Sequence, residues 1–508
     1  MKNKIFRALS VILILTITLC SCTGKNLTDE SITTQPENSS AEGKAPVVSI
    51  SLPFFEGDSI NPYFAVGLEN QNLKSLFTNS LVGLDENYSP ISDLAETFKV
   101  EGLFVTVSLK PALFSDGSTL SPADVIYSFN KAKASAEYSS KLSNITSVKQ
   151  SGNLIIFSLA AADAYAVNLL TFPIVKNKTA DLASSTPIGT GLYYFSSKKV
   201  MELNPNCKTP VSINQINLYN INNVSLMPNA LEIGNINYMF EDFSEGTYKR
   251  ILAENKKVQM NNFVFLGINN GYEALSSAAV RTAIYYAINK DDIASSAYQG
   301  YATAASTPFN PAFKDIINTE KPSCKNDTQK AKNILEKLGY NRFDKKGIKT
   351  NGTYNLKFSI LVSSENNFRT MAAHNIANSL STIGITAEVV SVDANTYKAK
   401  IAAGDFQLYV GEVKLTENMD LSPFFASGSA SVGINKDLTS IKDYFSFKEG
   451  KISIADFSKS FMNDVPFVPL CYRMGVIAYS KGLSPNFSLA PNNIYGNMNL
   501  WKNELSVN

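Results

Sequence analysis

The residue types that most often perform chemistry are scarce in this chain. His374 is the one histidine among 508 residues. A His-rich metal site cannot be assembled from it, and a Ser-His-Asp triad would have to use that side chain. No Gly-x-Ser-x-Gly elbow, His-Glu-x-x-His pair or Gly-x-x-x-x-Gly-Lys phosphate loop occurs. Cys207, Cys324 and Cys471 lie far apart with no zinc spacing, and are expected to be reduced and partly buried. These features predict no catalytic residues, no metal and no cofactor.

Two further cysteines open a different chemistry. Lys2, Lys4 and Arg7 precede the apolar run 8–19 (ALSVILILTITL). That run is short of the roughly 20 helical residues that span a bilayer, and fits the apolar region of an export signal. It ends in Leu19-Cys20-Ser21-Cys22, which resembles a bacterial lipoprotein box. Small Ser21 before Cys22 makes Cys22 the better acceptor, since bulky Leu19 precedes Cys20. The resemblance implies cleavage before Cys22 and a diacylglyceryl group on its sulfur, enough for stable anchoring. Residues 22–45 are polar and read as a flexible tether.

Composition bounds the rest. The net charge of +2 falls to about −1 once Lys2, Lys4 and Arg7 are removed, so nothing marks a nucleic-acid partner. Hydrophobic residues at 44% and charged residues at 18% describe a globular chain of several domains. Aromatic residues make up 11% of the chain, with 23 tyrosines and 30 phenylalanines, enough for an amphipathic surface. Abundant lysine and asparagine favour a low-GC, Gram-positive source and a cell-surface location.

The elements that would position a site are mixed α/β. Residues 47–52, 104–109 and 155–159 read as strands. Ser121 is placed as an N-cap, with Pro122 at the first helical position and Asp124 in the acidic first turn. Residues 280–297 carry helical apolar spacing. Residues 356–361, the stripe Phe368, Met371, Ala372, Ile376, Leu380, Ile383, and residues 387–392 make a strand, a helix and a strand, which predicts a βαβ unit with a parallel pair.

Residues 109–131 (LKPALFSDGSTLSPADVIYSFNK) make the reading specific. Phe114-Ser115-Asp116-Gly117 and Ala123-Asp124-Val125 resemble the signature of the family 5 extracellular solute-binding proteins of ABC importers. Asn61-Pro62, Leu94-Ala95-Glu96 and Pro187-Ile188-Gly189-Thr190-Gly191 follow the family order, with Leu192 where proline is usual. So do Val280-Arg281-Thr282-Ala283-Ile284, residues 332–340 (KNILEKLGY), Ile383-Gly384-Ile385 and residues 465–470 (VPFVPL), with Asn289 replacing an aspartate. The resemblance covers nearly all of residues 47–500.

It implies an α/β, type II periplasmic-binding-protein-like fold of two lobes and a hinge, with an extra subdomain inserted in lobe one. Mapped onto this chain, lobe one is 46–80, 187–265 and 471–508, the insert is 81–186, and lobe two is 266–470. It also implies capture of a solute between the lobes, most simply a short peptide, and delivery to ABC permease subunits by a lipid-anchored monomer on the outer face of the cytoplasmic membrane. The alternatives are a sensing or adhesion receptor of the same fold, or a non-peptide ligand such as an amino sugar or a chelated metal. The single histidine disfavours nickel.

The family's ligand-amine carboxylate lies in a Trp-x-Ala-Asp stretch, matched here by Tyr409-Val410-Gly411-Glu412. Glu412 replaces aspartate, Tyr409 replaces tryptophan, and Val413-Lys414-Leu415 replaces the usual proline-rich continuation. Glu412, Tyr409 and Val410 are therefore expected at the ligand, or else Glu412 pairs with Lys414 or a hinge lysine. Asn269 and Asn270, just past the crossing into lobe two, either bond ligand or cap the crossing strand. Tyr63 walls the cleft or belongs to the core with Phe64, and Asn435 is a further ligand candidate. Arg281 and Arg473 are read as structural ion pairs or selective contacts. His374 is read as a solvent or capping contact.

Overall fold

The computed structural model describes residues 47–487 and 493–504. The expected signal (1–21), the tether (22–45) and Cys22 lie outside the described residues.

Strand Ser49–Phe54 pairs in parallel with Gln215–Asn220, which continues through Val200–Leu203 to Tyr193–Ser197. Ile50, Leu52, Ile216 and Trp501 bury one face of this sheet. Residues 95–159 build a second, antiparallel sheet from Ala95–Glu101, Phe104–Leu109, Leu154–Leu159 and Ile145–Ser151. Alternation puts Val105, Val107, Ile155 and Phe157 on its inner face, against Val125 and Phe129 of helix Pro122–Ala134. That helix starts as its sequence predicts. Asp124 accepts from the Ser121 N–H at 2.9 Å and from its hydroxyl at 2.6 Å.

The third sheet has seven strands. Its centre is two long strands, Glu254–Ile268 and Phe467–Tyr479, running antiparallel. Both pass from one core to others. Val258 and Ile477 pack beside Trp501, whereas Val264, Leu266, Val468 and Leu470 pack with Val280 and Ile360. The register slips between Gln259 and Phe263 and again between Val264 and Phe265, so the ladder is irregular between the cores. The crossings expected at 265/266 and 470/471 fall inside these two strands. Leu408–Lys414, Lys357–Ser363 and Thr386–Val392 complete one side of the sheet. The last two pair in parallel around helix Asn367–Ser381, which is the predicted βαβ unit. Met371 departs from the expected stripe, because Ala373 and not Met371 turns inward. His374 on the same helix is exposed.

The helix expected over 280–297 is broken. Ala278–Ala287 ends at Ile288, which is extended, and Asn289 caps a new turn by accepting from the Asp292 N–H at 3.2 Å. The asparagine that departs from the family pattern is thus a helix cap. Lys290 is buried behind it and donates to the Tyr285 carbonyl at 3.0 Å.

Candidate ligand-binding site

The Pro187–Gly191 motif packs against the end of one helix. A Cβ at Gly189 would stand 1.9 Å from the Phe77 carbonyl oxygen, and one at Gly191 would stand 2.5 Å from the Phe77 carbonyl carbon. Only glycine permits this approach. The Gly191 N–H donates to Phe77 at 3.1 Å, and the Thr190 hydroxyl donates to Asn79 at 2.9 Å. Ser115 of the signature turn donates from its N–H to Gly189 at 3.0 Å. The Pro187–Gly191 motif therefore grips the end of helix Leu68–Phe77, and the signature turn bonds to that motif.

That helix walls a cavity of about 640 Å³. The opposite wall is Met260, Asn261 and Asn262 of the first long strand with residues 414–417. Two more walls come from the 81–186 segment, including Tyr88 and Tyr138, and from residues 493–497. The volume lies in the range of small-molecule sites.

The polar groups of the cavity divide into satisfied and unsatisfied sets. Lys141 pairs with Glu417 at 2.9 Å and donates to the Thr171 hydroxyl at 2.5 Å. Asp93 accepts from Asn79 and from the Ser80 N–H, both at 2.9 Å, yet burial still pushes its carboxyl up. Lys74 is different. Its ammonium makes no hydrogen bond or ion pair among the described residues and stands 5.6 Å from the Tyr138 ring centre. Burial holds its pKa below the usual lysine value, while Glu137 and Glu417 oppose this from a distance. The buried Tyr138 hydroxyl, Asn262 Oδ1 and Asn493 Oδ1 also lack partners. Buried polar atoms are rarely left so.

None of the seven residues expected at the ligand lines this cavity. Glu412 lies one side chain behind it. Its Oε1 accepts from Arg473 Nε and from Asn262 Nδ2, each at 2.8 Å. The ion-pair alternative is thus realised, with Arg473 and not a lysine as partner. Burial works against the Arg473 charge, but Glu412, with Asp242 and Tyr298 adding to it, holds the guanidinium pKa above its usual value. Tyr409 is buried, its ring packed on Gly267, and burial pushes its phenol up. Val410 offers its carbonyl to the Tyr397 hydroxyl at 2.8 Å.

Asn269 donates to the Phe406 carbonyl at 3.1 Å, and Asn270 donates to Ile268 at 3.0 Å and Pro466 at 3.1 Å. Asn435 gives its N–H to Asn270 Oδ1 at 3.3 Å. These three asparagines satisfy the loop where the first long strand ends. Tyr63 donates to the Pro173 carbonyl at 2.7 Å and packs edge-on against Tyr138, its ring centre 6.4 Å away. It braces the cavity wall from behind. Among the described residues Arg281 pairs with no carboxylate but donates to the carbonyls of Leu275, Ser276, Asp464 and Val465.

Lys74, Tyr138 and Asn262 were not singled out by sequence reasoning. They come from three distant segments, and each is an ordinary residue of its own helix, loop or strand. Asn262 alone carried a signal, lying in the strand that leads to Leu266-Gly267-Ile268-Asn269.

Comparison with known proteins agrees with this architecture. The family model of the bacterial extracellular solute-binding proteins, family 5 middle region, matches residues 89–435. The chain belongs to this family. It is 24% identical over 489 residues to the glutathione-binding protein GsiB of Escherichia coli O6:K15:H31 (strain 536 / UPEC), covering 87% of this chain and 91% of that protein. It is 23% identical over 463 residues to the oligopeptide-binding protein AppA of Bacillus subtilis (strain 168), covering 84% of each. The unliganded open form of MppA, a periplasmic murein tripeptide-binding protein, superposes with a TM-score of 0.72 at 16% identity, over 89% of this chain and 96% of that one. The fold is accordingly the type II periplasmic-binding-protein-like one, with two α/β lobes, a hinge and an inserted subdomain. The family serves ABC importers as extracellular solute-binding proteins. Among the described residues no helix is long and apolar enough to cross a membrane.

Proposed function

We propose that this solute-binding protein captures a short peptide in the cavity between helix Leu68–Phe77 and strand Glu254–Ile268 and delivers it to the permease of an ABC importer. One observation carries the reading. A cavity of about 640 Å³ is lined by residues 68–80, by the 81–186 segment, by Met260–Asn262, by residues 414–417 and by the C-terminal segment, and three buried atoms of its lining residues, the Tyr138 hydroxyl, Asn262 Oδ1 and Asn493 Oδ1, are left without partners. A ligand that touches all walls at once couples binding to hinge closure. Amide-bearing ligands satisfy amide side chains, and relatives named for glutathione and oligopeptides support that choice. Lys74, Tyr138 and Asn262 meet the ligand, and Glu412 with Arg473 holds Asn262 in place as positioning residues. Lobe one comprises 46–80, 187–265 and 471–508, the inserted subdomain 81–186, and lobe two 266–470. The protein acts as a monomer.

The anchor is part of the proposal. Cleavage before Cys22 and lipidation of its sulfur would hold the binding unit at the outer membrane face on the 22–45 tether. A Cys22→Ser chain should lose incorporation of labelled fatty acid and be released to the medium.

Native mass spectrometry of the purified chain tests the ligand. A co-purifying series that fragments as short peptides is expected. A bound mass that fragments as a sugar or a metal chelate, together with no thermal shift from any peptide pool, would overturn the peptide reading.

A further inference from the structure

We infer that the hairpin 342–350 is a contact surface for an anionic lipid bilayer, and that it turns the cavity end of the protein away from the membrane. This rests on the anchor proposed above, which brings a bilayer within reach.

The argument starts from charge. Residues 321–357 carry ten lysines and arginines against three carboxylates, a net +7 in a chain whose total is +2. Among the described residues none of the ten is in an ion pair. The hairpin lies within this stretch, with Arg342 opposite Thr350 and Phe343 opposite Lys349. Arg342, Lys345 and Lys346 are exposed. Asp344, the one acid of the hairpin, is spent on its own turn. It accepts from the N–H groups of Lys346 and Ile348, both at 2.8 Å, and from Asn355 Nδ2 at 3.1 Å. The cations around it are left without a counter-charge.

The aromatic ring narrows the partner. Phe343 is 67% exposed among these cations. A bilayer answers both features, because cations meet lipid phosphates while a ring reaches the acyl boundary. A soluble polyanion would answer the cations and leave the ring in water.

Backbone bonds fix where the hairpin sits. The Leu356 N–H donates to the Lys349 carbonyl at 2.8 Å, and the Thr386 N–H donates to the Leu356 carbonyl at 2.9 Å. These residues stand where strands Lys357–Ser363 and Thr386–Val392 begin. A Cβ at Gly384 would stand 2.9 Å from Lys349 Cδ, so the lysine stem lies against the same end of the sheet. Strand Leu408–Lys414 runs parallel to Lys357–Ser363, and the cavity residues 414–417 lie where it ends. Hairpin and cavity therefore occupy opposite ends of the sheet, separated by a seven-residue strand of about 20 Å. A chain resting on the membrane through the hairpin holds its cavity end outward, toward arriving solute.

A single indole tests this. Trp501 is the one tryptophan and is buried, so Phe343→Trp adds the only exposed indole. The full chain carrying Phe343→Trp is reconstituted into phosphatidylcholine vesicles with or without phosphatidylglycerol, part of the phosphatidylcholine being brominated to quench a ring at the acyl boundary. With phosphatidylglycerol the added emission is expected to shift to the blue and to be quenched. Neither change is expected in phosphatidylcholine alone, and both should be lost at high salt. Arg342→Gln, Lys345→Gln and Lys346→Gln together should weaken the contact roughly 100-fold, at about fivefold per cation near an anionic surface, and abolish both signals. Equal emission in the two kinds of vesicle would overturn the contact, as would a triple variant that is still quenched. A shift with soluble polyphosphate but no quenching by either vesicle would overturn the bilayer in favour of a polyanion. A chain that does not stay with phosphatidylcholine vesicles would refute the anchor, and quenching by phosphatidylglycerol vesicles would still decide the hairpin.

Discussion

Asp163 and Lys448 join two segments far apart in sequence, and cutting that link should be measurable. Asp163 Oδ1 meets Lys448 Nζ at 2.7 Å, with the side chains only 2% and 8% exposed. Asp163 also accepts from Asn418 Nδ2 at 2.6 Å and from the Tyr165 N–H at 2.9 Å. Lys448 donates to the Asn418 carbonyl at 3.0 Å. Every strong polar bond of both groups is internal, so water replaces nothing when one partner goes. Asp163→Ala strands a buried ammonium, which costs about 3–5 kcal/mol. At ~2.1 cal/mol/K per residue, about 450 folded residues unfold with an entropy near 1 kcal/mol/K, so the melting temperature should fall by roughly 3–5 °C. Lys448→Met should do the same. The double variant should lose much less than the two singles added, with a coupling above about 2 kcal/mol, because it buries no lone charge. Differential scanning calorimetry of the four chains reads this directly. A loss under about 1 °C for Asp163→Ala, or additive losses in the double variant, would refute the reasoning.

Three other outcomes follow from the same physics. Burial pushes Lys290 down to about 8. Between that pKa and the unfolded lysine value the unfolded chain binds the extra proton, so this group adds stability as pH rises from 7 to 9, by about 1 kcal/mol; urea midpoints should show that rise in the unmodified chain and not in Lys290→Met. Arg281 is held down to about 10 by burial and supplies four carbonyls near the helix end at Val465, whose φ is +41°; Arg281→Met should cost at least about 3 kcal/mol in denaturant unfolding and Arg281→Lys distinctly less. Glu412→Gln should lower stability by about 3 kcal/mol by stranding buried Arg473, while peptide affinity by calorimetry shifts less than about tenfold; a loss above 100-fold in a folded protein would instead put Glu412 against the ligand amine.

Local rules were legible wherever they closed within a few residues. Ser121 and Asp124 cap a helix with their own neighbours, and the strand, helix and strand over residues 356–392 follow from alternation and helical spacing. The Pro187–Gly191 motif was visible as a pattern, but its purpose was not. That purpose is the close approach of Gly189 to Phe77, a contact across more than a hundred residues. The break at Ile288 was missed because apolar spacing carries on through it, and a single asparagine cap outweighed the periodicity. Asn269 and Asn270 read as ligand or capping groups because they lie just past the crossing into lobe two, yet their amides are taken up by the distant carbonyls of Phe406 and Pro466, and Asn435 gives its own N–H to Asn270.

By itself the sequence determined the family and the alternation of strands and helices, since these depend on residue order and type. The tertiary structure decided which polar groups are spent and which are left over. Glu412 is spent on Arg473, sixty-one positions away, whereas the Tyr138 hydroxyl and Asn262 Oδ1, on two segments that line one cavity, are buried without partners. A carboxylate or an ammonium carries the same charge in any sequence. Only its neighbours in space fix whether that charge is already answered.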